Sequence, residues 1–393
     1  MLEKRIFYIF AATFFVRMGF GLMLSTFPAY ILSNTALHLS DYGVISTLSP
    51  LAELLTVLFF GVYIDTHGKK NVLEIGMAFA VISMAGISLS NNPFLISPFI
   101  ALNGVAGGTV LTSSLAMIVD LTEVTNRGKY TGMFDSMNIL GWAIGYAIGF
   151  IYLSINLALP VLYFIASLLS FMSLYFISKI IYREHLSGGY HLYTLKTVLL
   201  TKDVIYTVLP WFIIYMFIGS FLIYLPIGVT GLKIPLWVIA IAIIIGGIGI
   251  IELQRFFGHL SDSYGRFKIM IIGAVGFVGL FIGILLSRVF GYNYYIISLI
   301  GLSGILALAF APSSLASLGD LSNKKLGGTT MSLYSFVISG GMIIGIPATS
   351  IIYTYYGLAG LTTFFSLAAM LMFILLMLKY RFEKLHGIQS FKF

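Results

Sequence analysis

Gly61-x-x-x-Asp65-x-x-Gly68-Lys69-Lys70 returns later in the chain as Gly258-x-x-x-Asp262-x-x-Gly265-Arg266-x-Lys268, with Gly61, Asp65 and Gly68 each shifted by 197. Ser113-Ser114-Leu115-Ala116, Asp120, Gly128, Gly141 and Gly145 recur as Ser313-Ser314-Leu315-Ala316, Asp320, Gly328, Gly341 and Gly345, shifted by 200. Gly21 and Pro28 find Gly219 and Pro226, shifted by 198. A near-constant offset along three separate stretches identifies a tandem duplication, and its slow drift is what a few loop insertions produce. Two homologous halves must therefore pack against each other.

Hydrophobic residues make up 59% of the 393 residues and charged ones 9%, against about a quarter charged in soluble proteins. With a mean hydropathy of +1.01, the apolar content is spread along the whole chain and leaves no room for a sizeable soluble domain. The chain reads as an all-α integral membrane protein. The absence of Cys excludes disulfides, thiolate metal sites and cysteine nucleophiles. The first apolar run, beginning near Ile6, is too long for a signal-peptide core and lacks a small-residue cleavage site, so it is read as a retained spanning helix. The formal charge of +8 resides in short loops rather than in an aromatic-laced patch, which argues for topology and against nucleic acid.

Apolar runs of about 20 residues, the length that crosses a bilayer as a helix, fall at 6–32, 42–64, 71–91, 95–119, 130–153 and 157–181. The second half gives 205–230, 235–259, 268–289, 294–318, 329–354 and 357–379, in the same order. The expectation is twelve transmembrane helices in two pseudo-symmetric six-helix bundles: residues 1–182, a linker at 183–204, residues 205–380 and a tail at 381–393. Eighteen Lys and Arg fall on one side of this topology, and Lys233 and Arg288 on the other, with Arg17 and Arg255 left inside the membrane. That bias places both termini in the cytoplasm of a multi-pass cell-membrane protein. Because six is even, the halves share an orientation and are related by an axis along the membrane normal. The polar stretch Arg183 to Asp203 joins them, either as a short interfacial helix around Tyr190 to Leu200 or as a flexible tether.

Twelve spans, two parallel halves, a polar linker and the Gly61–Lys70 loop together resemble the major facilitator superfamily of secondary transporters, over the whole chain. The resemblance implies a cytoplasmic latch built from Gly61, Asp65, Gly68, Lys69 and Lys70 with Asp120 and Arg127, echoed by Gly258, Asp262, Gly265 and Arg266 with Asp320 and Lys324. The physics of the motif agrees. Gly61 and Gly68 allow close approach and a tight turn, Asp65 suits a helix N-terminus, and the lysines anchor to anionic headgroups. The same residues also serve as plain topology determinants. Gly141-x-x-x-Gly145-Tyr146-x-x-Gly149 partly matches a glycine-rich motif of proton-driven drug antiporters. That motif has Pro where this chain has Tyr146 and Gly where it has Phe150, and small residues every fourth position also make ordinary packing seams. Asn103 stands where proton-coupled relatives carry an Arg.

An ionisable group at mid-membrane costs roughly 3 kcal/mol on insertion scales, so each one needs a reason. Counting at about 1.5 Å per residue puts Arg17 and Glu53 at one level, each roughly 17 Å from the basic side. They form either a central site, in which Arg17 attracts an anionic group and Glu53 takes up and releases a proton, or a permanent structural ion pair. Glu252 and Arg255 read as a local i,i+3 pair or a gate contact, and Asp135 as a helix cap or gate residue. The resemblance makes helices one, four, seven and ten line a central cavity. Candidate contacts there are Ser25, Thr26, Asn103, Thr109, Thr112, Tyr215, Tyr224 and Ser303, with Asn138 and Trp142 from helix five. Pro28 and Pro226 should bend equivalent helices at equivalent points.

The expected activity is alternating-access movement of a small organic solute, coupled to protons, by a protein sufficient as a monomer. Export of drug-like or metabolite molecules is favoured by the partial antiporter motif and the aromatic content, and uptake of an organic anion or sugar by Arg17. An enzyme is disfavoured because His38, His67, His185, His191, His259 and His386 all lie outside the span centres, so no metal site or cofactor is expected. No phosphate-binding loop of the ATP-driven type occurs. A transporter-like sensor or scaffold is the third class.

Overall fold

The computed structural model describes residues 2–32, 38–90, 92–122, 127–155, 157–182, 202–230, 234–291, 293–321 and 327–386. The described residues are almost entirely helical, as a chain must be where lipid offers no partners to its amides and carbonyls. The first half comprises α1 (Leu2–Leu32), α2 (Leu39–His67), α3 (Lys69–Leu89), α4 (Pro93–Leu121), α5 (Arg127–Ser154) and α6 (Leu159–Ser178). The second comprises α7 (Lys202–Thr230), α8 (Leu236–Tyr264), α9 (Arg266–Phe290), α10 (Tyr294–Ala307), α11 (Phe310–Leu321) and α12 (Gly327–His386). Each of the twelve apolar runs has a helical counterpart. Two departures from one run, one helix have local causes.

The first is that α10 and α11 make a single apolar crossing, Tyr294–Ser317, broken by turns at Leu308 and Ala309. The second is α12, whose 60 residues would measure about 90 Å if straight. Gly345 packs on the Met216 backbone, while Phe365 meets Phe217 with ring centroids 5.4 Å apart. Positions twenty residues apart thus touch the same turn of α7, so the chain doubles back between them. The reversal is at Gly357, with φ 61° and ψ −159°, a conformation that only glycine enters at little cost. From there the second arm runs antiparallel to α9, pairing Phe365 with Phe281 and Tyr380 with Phe267. The helix continues to His386, taking in the first six residues of the expected tail.

The duplication is visible atom by atom. A Cβ on Gly141 would stand 2.6 Å from the Phe14 carbonyl oxygen, and one on Gly341 would stand 2.6 Å from that of Phe212. Gly145 and Gly345 sit in the same way on the Met18 and Met216 carbonyls. These glycines let α1 pack against α5, and α7 against the first arm of α12, at backbone contact, the arrangement that small residues provide between membrane helices. Gly68 and Gly265 turn α2 into α3 and α8 into α9 with nearly identical dihedrals, φ 95° and ψ 136° against φ 97° and ψ 137°. Asn92 and Asn293 cap α4 and α10, accepting from the Phe94 and Ile296 amides at 2.9 Å. The halves meet through α2 against α12 and α5 against α8. The linker segment 183–201, including the helix considered at 190–200, lies outside the described residues.

Candidate functional site

Arg17 and Glu53 stand at the mid-points of α1 and α2, and Arg17 acts electrostatically on both Glu53 and Asp135 of α5. The Arg17 side chain, 6% exposed, packs its Cβ against the bare face of Gly141 and holds its guanidinium 5.6 Å from the Phe20 ring centre. Glu53 projects from α2 onto the Gly107-Gly108 pair of α4, its carboxylate oxygen 3.5 Å from where a Gly107 Cβ would stand. The Phe20 ring edge lies 3.9 Å from that same point, so the two glycines open the space that the carboxylate and the ring share. Arg17 acts electrostatically on Glu53, which Ser339 of α12 approaches from the other half while its hydroxyl donates to the Ser335 carbonyl at 2.9 Å.

Asp135 joins this group. Its carboxylate faces Asn138 on its own helix and feels the charge of Arg17. Asp135, Asn138 and Trp142 follow one another at i, i+3 and i+7, which stacks them along one face of α5. The Asn138 side-chain oxygen has no hydrogen-bond partner, and the Trp142 ring stacks on Tyr146 at 6.4 Å. One guanidinium against two carboxylates leaves the cluster with a formal excess of negative charge. Counting depth brings Arg17 and Glu53 together. It misses Asp135, read as a cap or gate residue, and also Phe20, Ser339 and the two glycines. The i, i+3, i+7 spacing on α5 was the available signal for Asp135, whereas Ser339 lies in the other half with no pattern to mark it.

The remaining candidates scatter. Asn103 is buried on α4 with its amide nitrogen unpartnered, one turn from the Gly107-Gly108 pair. Tyr215 packs its Cβ 2.8 Å from the Gly341 position and its ring 6.0 Å from Trp211. Ser25 and Thr26 return hydrogen bonds to the Leu22 carbonyl, with Ser25 under Gly149 and Thr26 beside the Tyr163 hydroxyl. Thr109 packs on Gly76 and Ser303 on Gly276 and Gly279, while Thr112 donates to the Gly108 carbonyl. These five lie in helix seams rather than with Arg17 and Glu53.

The ends of the bundles differ. At the end remote from the basic loops the halves are joined: Tyr42 donates to the Ile223 carbonyl at 2.9 Å, Ser350 to that of Leu39 at 3.2 Å, and Tyr146 to that of Leu222. Tyr224 belongs here, with its hydroxyl on the Ile346 carbonyl, its ring edge-on to Tyr42 at 5.9 Å, and Gly43 against its oxygen. At the basic end Lys69 pairs with Asp120, which also accepts from Tyr182 at 2.7 Å, and Lys70 pairs with Glu74 at 3.4 Å. The echo is local, since Arg266 pairs with Asp262 four residues before it and reaches Ser261. Glu252 and Arg255 form the expected i,i+3 pair at 2.8 Å, both more than half exposed. The side chains of Asp65, Arg127 and Asp320, together with Gly61 and Lys324, lie outside the described residues; Gly258 sits at the edge of Pro312.

The sequence profile of the major facilitator superfamily matches residues 9–304 and again 253–391. The chain belongs to the major facilitator superfamily. It is therefore a multi-pass membrane protein of a transporter family. Among solved members of the fold, the human organic anion transporter MFSD10 (TETRAN) superposes with a TM-score of 0.70 at 15% identity, over 95% of this chain and 99% of that one. A D-xylose-proton symporter gives 0.72 at 14%, over 94% and 96%. Among curated proteins, the quinolone resistance protein NorA of Staphylococcus aureus is 24% identical over 148 residues, 38% of each chain. The multidrug resistance protein 2 of Bacillus subtilis is 24% identical over 174 residues, 44% of this chain and 42% of that one. The matched stretch thus spans less than half the length of these curated relatives.

Proposed function

We propose that this major facilitator protein is a secondary active transporter that moves a small organic solute by alternating access, coupled to protons, with drug-like or metabolite efflux as the favoured direction. The observation that carries the reading is the pairing of Arg17 and Glu53 at the mid-points of α1 and α2, with Asp135 within the field of Arg17 and Ser339 approaching Glu53 from the second half. Ionisable groups kept at that depth are expensive and mark ion or substrate pathways. Glu53 takes and releases the proton, and Arg17 sets how readily it does so. The excess of carboxylate favours a cationic, aromatic solute, which the Trp142 and Phe20 rings suit. Asn103, Asn138 and Tyr215 are the neutral polar contacts of the cavity in this reading. Tyr224 and the Lys69–Asp120 pair belong to its two gates. The basic end faces the cytoplasm, as the loop charges require, and a monomer suffices.

Uptake of an organic anion or sugar is the second reading, favoured by Arg17, the cluster's one cation. Both are separated by one experiment on purified protein in liposomes, with cationic drugs, organic anions and sugars offered with and without an imposed pH gradient. Gradient-dependent movement lost in Glu53→Gln supports the proposal, and the compound that moves selects the reading. Gradient-driven transport that survives in Glu53→Gln removes Glu53 from the coupling step. No movement of any compound by folded protein would favour a sensor or scaffold built on a transporter fold.

A further inference from the structure

Pro226 sits inside α7. A proline has no amide hydrogen, so the carbonyl four residues before it loses its helical partner. Here that carbonyl belongs to Leu222, and the group that donates to it is the Tyr146 hydroxyl, from α5 of the opposite half. The surroundings are dry. Tyr146 is 3% exposed and lies in an apolar cluster with Ala147, Phe150, Val229 and Ala240 that draws on both halves. In such surroundings a carbonyl without a donor carries its full desolvation cost.

We propose that Tyr146 is the residue that latches the two halves at the end remote from the basic loops, by supplying the hydrogen-bond donor that Pro226 denies to Leu222. The latch rests on the alternating-access reading and specifies which atoms resist opening. While the halves are together, the Leu222 carbonyl is satisfied across the seam. When they part, it is left bare until water reaches it, so the proline-exposed carbonyl biases the protein toward the closed form. The adjacent contact provides an internal control. Tyr42 donates to the Ile223 carbonyl, but residue 227 is Ile, whose N–H is available to that carbonyl in the helix. Losing the Tyr42 hydroxyl therefore strands no carbonyl, and losing that of Tyr146 does.

The absence of Cys from the chain makes the test direct. Spin labels on Val44→Cys in α2 and Gly228→Cys in α7, both exposed, the latter with no atom near its Cβ position, report the separation of the halves at this end. Tyr146→Phe should lower the ratio of closed to open distances about tenfold, and Tyr42→Phe only about two- to threefold. In a Pro226→Ala background, which restores the helical N–H, Tyr146→Phe should change the ratio less than about twofold. Pro226→Ser restores the same N–H and replaces the Ala variant where that variant does not fold. An unchanged ratio in Tyr146→Phe overturns the latch. An equal effect with and without Pro226 also overturns it, because loss of packing, not of a donor, would then be the cause. A single unchanging distance in every variant, with and without a pH gradient, would sink alternating access itself. A second distance that is populated but indifferent to Tyr146 would sink the latch alone.

Discussion

The two halves share one scaffold and differ in chemistry. Where the first has Arg17, Glu53 and Asp135, the offsets of 198, 197 and 200 place Tyr215, Ile250 and Ser335 in the second. The backbone contacts behind these positions are kept: Gly141 on the Phe14 carbonyl and Gly341 on that of Phe212, at the same 2.6 Å. The seam between the halves is unequal in a similar way. Pro28 frees the Leu24 carbonyl as Pro226 frees that of Leu222, yet Ile346 stands where the symmetry would need a second Tyr146. Duplication thus supplied a symmetric frame, and divergence at a few inward positions supplied both the charge and the catch. In the proposed proton-coupled cycle a single ionisable centre is enough, and a second buried charge cluster would carry its own desolvation cost.

The sharpest break of this asymmetry is Glu53→Gln, which keeps the shape and removes the titrating group. Gradient-dependent transport in liposomes should fall to background while the protein remains monodisperse. Next in size is the reverse experiment, adding charge to the neutral half. Ser335 is fully buried at the mirror of Asp135, so Ser335→Asp should destabilise by roughly 3 kcal/mol, visible as a lowered melting temperature in detergent. Asp135→Asn should leave stability near wild type and weaken uptake of cationic probes more than of neutral ones. If Ser335→Asp is tolerated as well as Asp135 itself, the second half has an acceptor site for charge and the contrast fails.

The shared frame is tested by a matched pair. Gly141→Ala and Gly341→Ala each force a methyl group onto a backbone oxygen of the neighbouring helix and should cost about 1–3 kcal/mol apiece, by thermal denaturation. Gly228→Ala, with nothing near its Cβ, should cost less than either. Unequal costs at 141 and 341 would mean that one half is the looser, whatever their common geometry.

The parts of this molecule that repeat were legible in the sequence, because lipid restricts the chain to long apolar helices and the duplication marks matched loops. The twelve runs, the turns at Gly68 and Gly265 and the glycine seams could all be read in advance. The reversal at Gly357 was placed to within a residue by the apolar runs alone. Depth counting also brought Arg17 to Glu53, since both are rare charges in otherwise apolar helices. Asp135 was marked only by its i, i+3, i+7 register with Asn138 and Trp142. Phe20, Ser339 and the two glycines were not legible, because they depend on which face of a helix turns inward and on contacts between halves that no local pattern encodes. Thr109 and Ser303 are polar on helices expected to line the cavity, yet their side chains fill the gaps left by Gly76 and Gly279. Tyr146 and Phe150, the two departures from the glycine-rich motif, look like losses in the sequence. In the structure both fill the seam between the halves.

The smallest effect distinguishes the two loops that first revealed the duplication. Lys69 reaches across 51 residues of sequence to Asp120, tying the start of α3 to the end of α4, and Tyr182 closes on the same carboxylate. Arg266 pairs with Asp262 within one helical turn, a contact that exists whether or not anything else moves. A pair between elements can favour one arrangement of those elements over another, whereas a pair inside a turn travels with it and contributes only a few tenths of a kcal/mol. Lys69→Gln should therefore shift the balance of open and closed forms at the basic end, read by spin-label distances across it, and change transport rate with it. Arg266→Gln should alter stability by less than about 0.5 kcal/mol and leave that balance unmoved. If Arg266→Gln shifts the distances as much as Lys69→Gln, the second loop is also a gate, and the repeated motif has kept its role in both halves.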